Sequence, residues 1–92
     1  MPTQPEEHIT IVVSSAELAL LTKLDFPCSQ DVLATARPDM EGIALHGSRA
    51  DLSSLAGWVA GEANHARSGT RRSELLDSLA EQLEDVLVTY WR

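Results

Sequence analysis

Ninety-two residues, 43% of them apolar, suffice for one modest core and not for two. Aromatic residues make up only 4%, so Leu, Val and Ala must fill that core, and no apolar run reaches the roughly 18–20 residues that span a bilayer. Fourteen acids against seven basic residues give a formal net charge of −7, which repels phosphate backbones and makes nucleic acid an unexpected partner.

The single cysteine, Cys28, excludes an internal disulfide and has no basic neighbour to activate it. The start Met-Pro-Thr-Gln-Pro-Glu-Glu lacks the basic and apolar regions of a signal peptide, so a cytoplasmic location is expected. Residues 1–7 read as a short flexible tail and residues 8–92 as a single globular domain.

The domain opens with His8-Ile-Thr-Ile-Val-Val13, where Ile9, Ile11 and Val13 alternate with His8, Thr10 and Val12 as in a half-buried strand. Ser14-Ser-Ala-Glu17 has the spacing of a capping box and starts a helix over 15–25, with Leu18, Leu21 and Leu24 inward and Leu20 widening the stripe until Pro27 stops it. Ser29 can cap a second, shorter helix that turns Val32, Leu33 and Ala36 inward and closes before Pro38. After a turn at 38–42, Gly42-Ile-Ala-Leu-His46 alternates Ile43 and Leu45 with Ala44 and His46 as a second strand ended by Gly47.

Ser48-Arg-Ala-Asp51 is another capping-box-like start, and the helix it opens, to about residue 65, should bury Leu52, Leu55, Val59 and Ala63. Residues 67–70 turn the chain into a last helix whose seam of Leu76, Leu79, Leu83, Val86 and Tyr90 recurs at three and four residues. The fold class is therefore α+β and mostly helical, with a small two-stranded sheet, the order β-α-(short α)-β-α-α, and a C-terminal antiparallel helical hairpin. Two strands make a marginal sheet, so either a strand lies unrecognised around 26–29 or a second copy of the chain completes the sheet in a homodimer.

Opposite the apolar seam of the last helix runs a ridge of acids, Glu74, Asp77, Glu81, Glu84 and Asp85, with no basic residue between Arg72 and Arg92 to pair with them. Such a ridge either is simply solvated or meets a basic partner. Trp58 falls near the edge of the core stripe of its helix, and Trp91 lies at the chain end; each can anchor a partner or cover the chain's own core. Gly57 and Gly61 each cost their helix roughly 1 kcal/mol relative to Ala, which close approach of the C-terminal helix or of a second subunit would explain.

Two further groupings carry possible chemistry. Arg67, Thr70, Arg71 and Arg72 resemble an anion cradle, with solvated arginines pairing with Glu62, Glu74 or Asp77 as the simpler account. Glu62 and His65 have the Glu-x-x-His spacing of helical metal sites, but such sites need a second motif, and His46 is the one other candidate imidazole. No nucleophile–base arrangement or paired buried carboxylates can be read, so catalysis is unsupported and no cofactor is expected. The leading expectation is a small non-enzymatic interaction or regulatory protein that presents Trp58, Asp77, Glu81, Glu84, Asp85 and Trp91 to a protein partner with a basic surface. The alternative is a small anion- or metal-binding domain built on the Arg67/Arg71/Arg72 turn or the Glu62/His65 pair.

Overall fold

In the computed structural model, which describes residues 9–27 and 29–90 (Tyr90 by its backbone), Ile9, Ile11 and Val13 are buried along strand β1 (Ile9–Val13). The expectations for the tail 1–7, His8, Cys28, Trp91 and the Tyr90 side chain lie outside the described residues. Helices α1 (Ser15–Leu24) and α2 (Ser29–Leu33) follow, then strands β2 (Arg37–Asp39) and β3 (Gly42–Gly47), and finally helices α3 (Arg49–His65) and α4 (Arg71–Tyr90).

The sheet has three strands in the order β1-β3-β2, all antiparallel, which corrects the two-stranded expectation. Its third strand is not at 26–29. It is Arg37–Asp39, joined to β3 by a hairpin in which Asp39 pairs with Gly42 across the two-residue turn of Met40 and Glu41. Three exposed residues around a proline carry no alternation to reveal a strand, and Pro38 is tolerated because β2 is an edge strand. The Thr35 hydroxyl continues this edge: it accepts the His46 N–H at 2.7 Å and donates to the Val32 carbonyl at 2.6 Å. Since the chain supplies its own third strand, the incomplete sheet no longer calls for a second copy.

Pairing of Ile9 with Gly47, Ile11 with Leu45 and Val13 with Ile43 puts these residues on the face that the helices cover. Thr10, Val12, Ala44, His46, Arg37 and Asp39 form the other face, where the Thr10 hydroxyl lies 2.9 Å from His46 Nδ1. At the hairpin, a methyl group on Gly42 would stand 2.5 Å from the Val13 carbonyl oxygen, a backbone atom that cannot swing aside. Gly42→Ala is therefore expected to cost about 1–3 kcal/mol, read as a lower midpoint in thermal unfolding followed by circular dichroism.

The capping box forms as its spacing requires: the Ser14 hydroxyl accepts the Glu17 N–H at 3.1 Å, and Glu17 Oε1 accepts the Ser14 N–H at 2.8 Å. Helix α1 ends before Pro27 is reached, because Asp25 turns left-handed (φ 49°) and bonds back to the Leu21 carbonyl. Ser29 is the first residue of α2 and not its cap; its buried hydroxyl donates to the Phe26 carbonyl at 2.8 Å. The tight bonds Thr35 N–H to Val32 and Ala36 N–H to Leu33 end α2 early and release the chain into β2.

Ser48 caps α3 through the Asp51 N–H at 3.1 Å, and Leu52, Leu55 and Val59 are buried as expected, with Ala63 packed beside them. Helices α3 and α4 form the expected hairpin and share the broadest packing in the fold. The seam of α4 differs in its last turns: Leu76, Leu79, Leu83 and Leu87 are buried, while Val86 is only half-buried. A strict 3,4,3,4 repeat drifts about 20° per heptad on a straight helix, so by the third turn the next residue faces the core.

Candidate functional site

On α4 the residues about 100° to 200° from the buried seam are Glu84, Asp77, Val88, Glu81, Glu74 and Asp85; all are exposed, and five of the six are acids. Among the described residues none of them makes an ion pair. Asp77, Glu81 and Asp85 succeed one another at four-residue spacing, where like charges destabilise a helix by about 0.2–0.5 kcal/mol per pair. Ser78, Glu81, Gln82, Glu84, Asp85 and Val88 line an open depression along this face.

Beside the acids lies an apolar groove between the two long helices. Ala56, Gly57 and Ala60 of α3 form one wall, and Ala80, Glu84, Leu87 and Val88 of α4 form the other, around a volume of about 380 Å³. Val88 is 53% exposed and continues the apolar lining of the groove beside the acidic rim. Periodicity did not single these residues out: Ala56, Ala60 and Ala80 lie beside the buried stripes, and Val88 stands among the acids. The signal that pointed towards them is the glycine pair.

Among the described residues a Cβ atom at Gly57 or at Gly61 would meet nothing within 4 Å, so neither glycine makes room for another described part of the chain. Helix α4 packs on the side of Leu52, Leu55 and Val59 and leaves the glycine side open, contrary to the idea that it approaches there.

Trp58 sits on the flank of α3 away from the groove. It is 48% exposed, and one face stacks on buried Phe26 with ring centroids 5.7 Å apart at 21°. Phe26 thus gives Trp58 a role at the edge of the core while leaving half of its surface to solvent. The structure does not bring Trp58 together with the acid face of α4.

The basic turn is already engaged in part. The Thr70 hydroxyl accepts the Ser73 N–H at 3.1 Å and donates to the Arg67 carbonyl at 2.9 Å, capping α4. Arg72 lies 3.3 Å from Glu62 in an exposed ion pair, while Arg67 and Arg71 are exposed and, among the described residues, make no ion pair. Glu62 therefore faces a guanidinium across the hairpin. Among the described residues no group of three or more His, Cys, Asp or Glu side chains gathers as metal ligands.

Among the described residues, no helix is long and apolar enough to cross a membrane. The class reached from the coordinates is an α+β domain in which a three-stranded antiparallel sheet is covered on one face by helices. No protein-family model, curated protein or solved structure matches the chain.

Proposed function

We propose that this chain is a small non-enzymatic interaction or regulatory protein of the cytoplasm, which uses the acid face of α4 to hold a protein partner with a basic surface. The observation that carries the reading is the row of five exposed carboxylates, Glu74, Asp77, Glu81, Glu84 and Asp85, without an internal counter-charge among the described residues. Unpaired like charges at helical spacing cost the fold stability, and a basic partner returns that energy on binding. Exposed Val88 and the apolar groove beside the acids add area that can be desolvated, which a purely solvated face would lack. Trp58, on the other flank of α3, is a separate and smaller contact in this reading.

The double reversal Asp77→Lys with Glu81→Lys separates binding from folding. Its stability is expected to hold or to rise by a few tenths of a kcal/mol, because the pair 77/81 stays like-charged while the reversed charges now attract Glu74, Glu84 and Asp85 at three- and four-residue spacing. Partners captured from a native lysate at low salt by the wild type should be lost by the variant. If every one of them stays bound, the acid face is not the site.

A further inference from the structure

We infer that the groove between α3 and α4 receives a single amphipathic helix of the partner, apolar along its inward side and basic along one flank only. The inference rests on the reading of the acid face as the partner-binding surface and adds the shape of what lies there. The groove walls are two helices whose backbone groups are bonded within each helix, so they offer no edge to which a strand could be added. Side chains must supply the contact, and the shape that fits between parallel helical ridges is a third helix.

From Ala80 to Val88 the groove runs about 12 Å, or two helical turns. The occupant therefore presents apolar residues at i, i+4 and i+7 against Ala56, Ala60, Leu87 and Val88. Its charge pattern is set by an asymmetry of the rim. Glu84 lines the α4 side, with Glu81 and Asp85 behind it, whereas the α3 side carries only Gly57 and the two alanines. Lysine or arginine on the α4 flank is paired, and on the α3 flank it finds no carboxylate in the wall.

Gly57 fits this assignment, since its missing side chain lets an incoming backbone come close and, among the described residues, serves no contact inside the chain. A second copy of this chain is the poorer occupant. A two-fold contact through the groove sets Glu81, Glu84 and Asp85 near their own copies.

The probe is a dye-labelled helical peptide of about 16 residues, Leu and Ala on one side and Lys on one flank, compared with a scrambled peptide of the same composition by fluorescence anisotropy at low salt. The wild type should bind the ordered peptide at least roughly tenfold more tightly than the scramble. Gly57→Leu, and independently Ala60→Leu, should erase that preference while leaving the weak, salt-sensitive binding of the scramble. Both sites are open or exposed and leucine favours helix, so unchanged circular dichroism is expected for both variants, with melting unchanged for Ala60→Leu and raised by a few degrees for Gly57→Leu, which removes a helix-weakening glycine.

If both variants keep the tenfold preference, or if the wild type binds both peptides alike, helix docking in the groove is overturned while the acid-face reading stands. If Asp77→Lys with Glu81→Lys changes the binding of neither peptide, the acid-face reading itself fails. A wild-type dimer that Gly57→Leu dissociates in sedimentation equilibrium puts a second copy in the groove and also overturns the inference.

Discussion

Leu79→Ala is expected to destabilise the domain by about 2–5 kcal/mol, the range for a leucine removed from a packed core that relaxes only in part. Leu79 is 1% exposed and belongs to the one contiguous core, which joins α4 to β1 and to the buried side of α3. Single domains carry only about 5–15 kcal/mol in total, so this truncation removes a large share of it. Even the lower figure shifts the thermal midpoint of a domain this size by about 8–16 °C. The half-buried Val86 provides the contrast. Val86→Ala should cost clearly less than Leu87→Ala in the same urea titration, because the buried stripe passes through Leu87 by that turn. Equal costs would mean that the seam follows the heptad after all.

Glu17→Ala is expected to cost roughly 2–4 kcal/mol, more than a surface glutamate warrants. Glu17 is 5% exposed and both of its oxygens are bonded: Oε1 accepts the Ser14 N–H at 2.8 Å and Oε2 accepts Gln82 Nε2 at 2.9 Å. Loss of the first removes the reciprocal half of the capping box, about 0.5–1.5 kcal/mol, while the Ser14 hydroxyl still accepts the backbone N–H at 17. Loss of the second breaks a charge-assisted bond between α1 and α4, worth about 1.5–3 kcal/mol. Gln82→Ala alone should cost about 1.5–3 kcal/mol: it loses the same interhelical bond, leaves Glu17 Oε2 without it and gives up the bond to the Ser78 hydroxyl, but it spares the cap. A double-mutant cycle on urea unfolding should show that the two costs do not add. Additive costs would show that the carboxylate acts only within its own helix.

Glu17 also marks the boundary between what can be read from the chain and what cannot. Its bond to Ser14 spans three residues and obeys helix-start geometry, so the sequence announces it. Its bond to Gln82 spans 65 residues and exists only because α1 and α4 come to lie together. The same division runs through the site. The acid ridge follows from periodicity on a single helix, and all of its members are exposed as that periodicity requires.

The groove is a property of two helices at once. Whether Ala56, Ala60, Ala80 and Val88 are margin or binding surface depends on how closely α3 and α4 approach, and neither helix encodes that distance by itself.

By itself, then, the sequence determined the elements whose signals are local: the β1 alternation, the serine caps of α1 and α3, and the two faces of α4. Tertiary structure alone decided the third strand at Arg37–Asp39, which three exposed residues and a proline could not announce. It also decided the turn of the α4 seam onto Leu87, the stacking of Trp58 on Phe26, and the open side of Gly57. The physical reason is range. Caps and periodicity are settled within a turn or two of helix, whereas an edge strand or a groove takes its meaning from a neighbour that is distant in the chain.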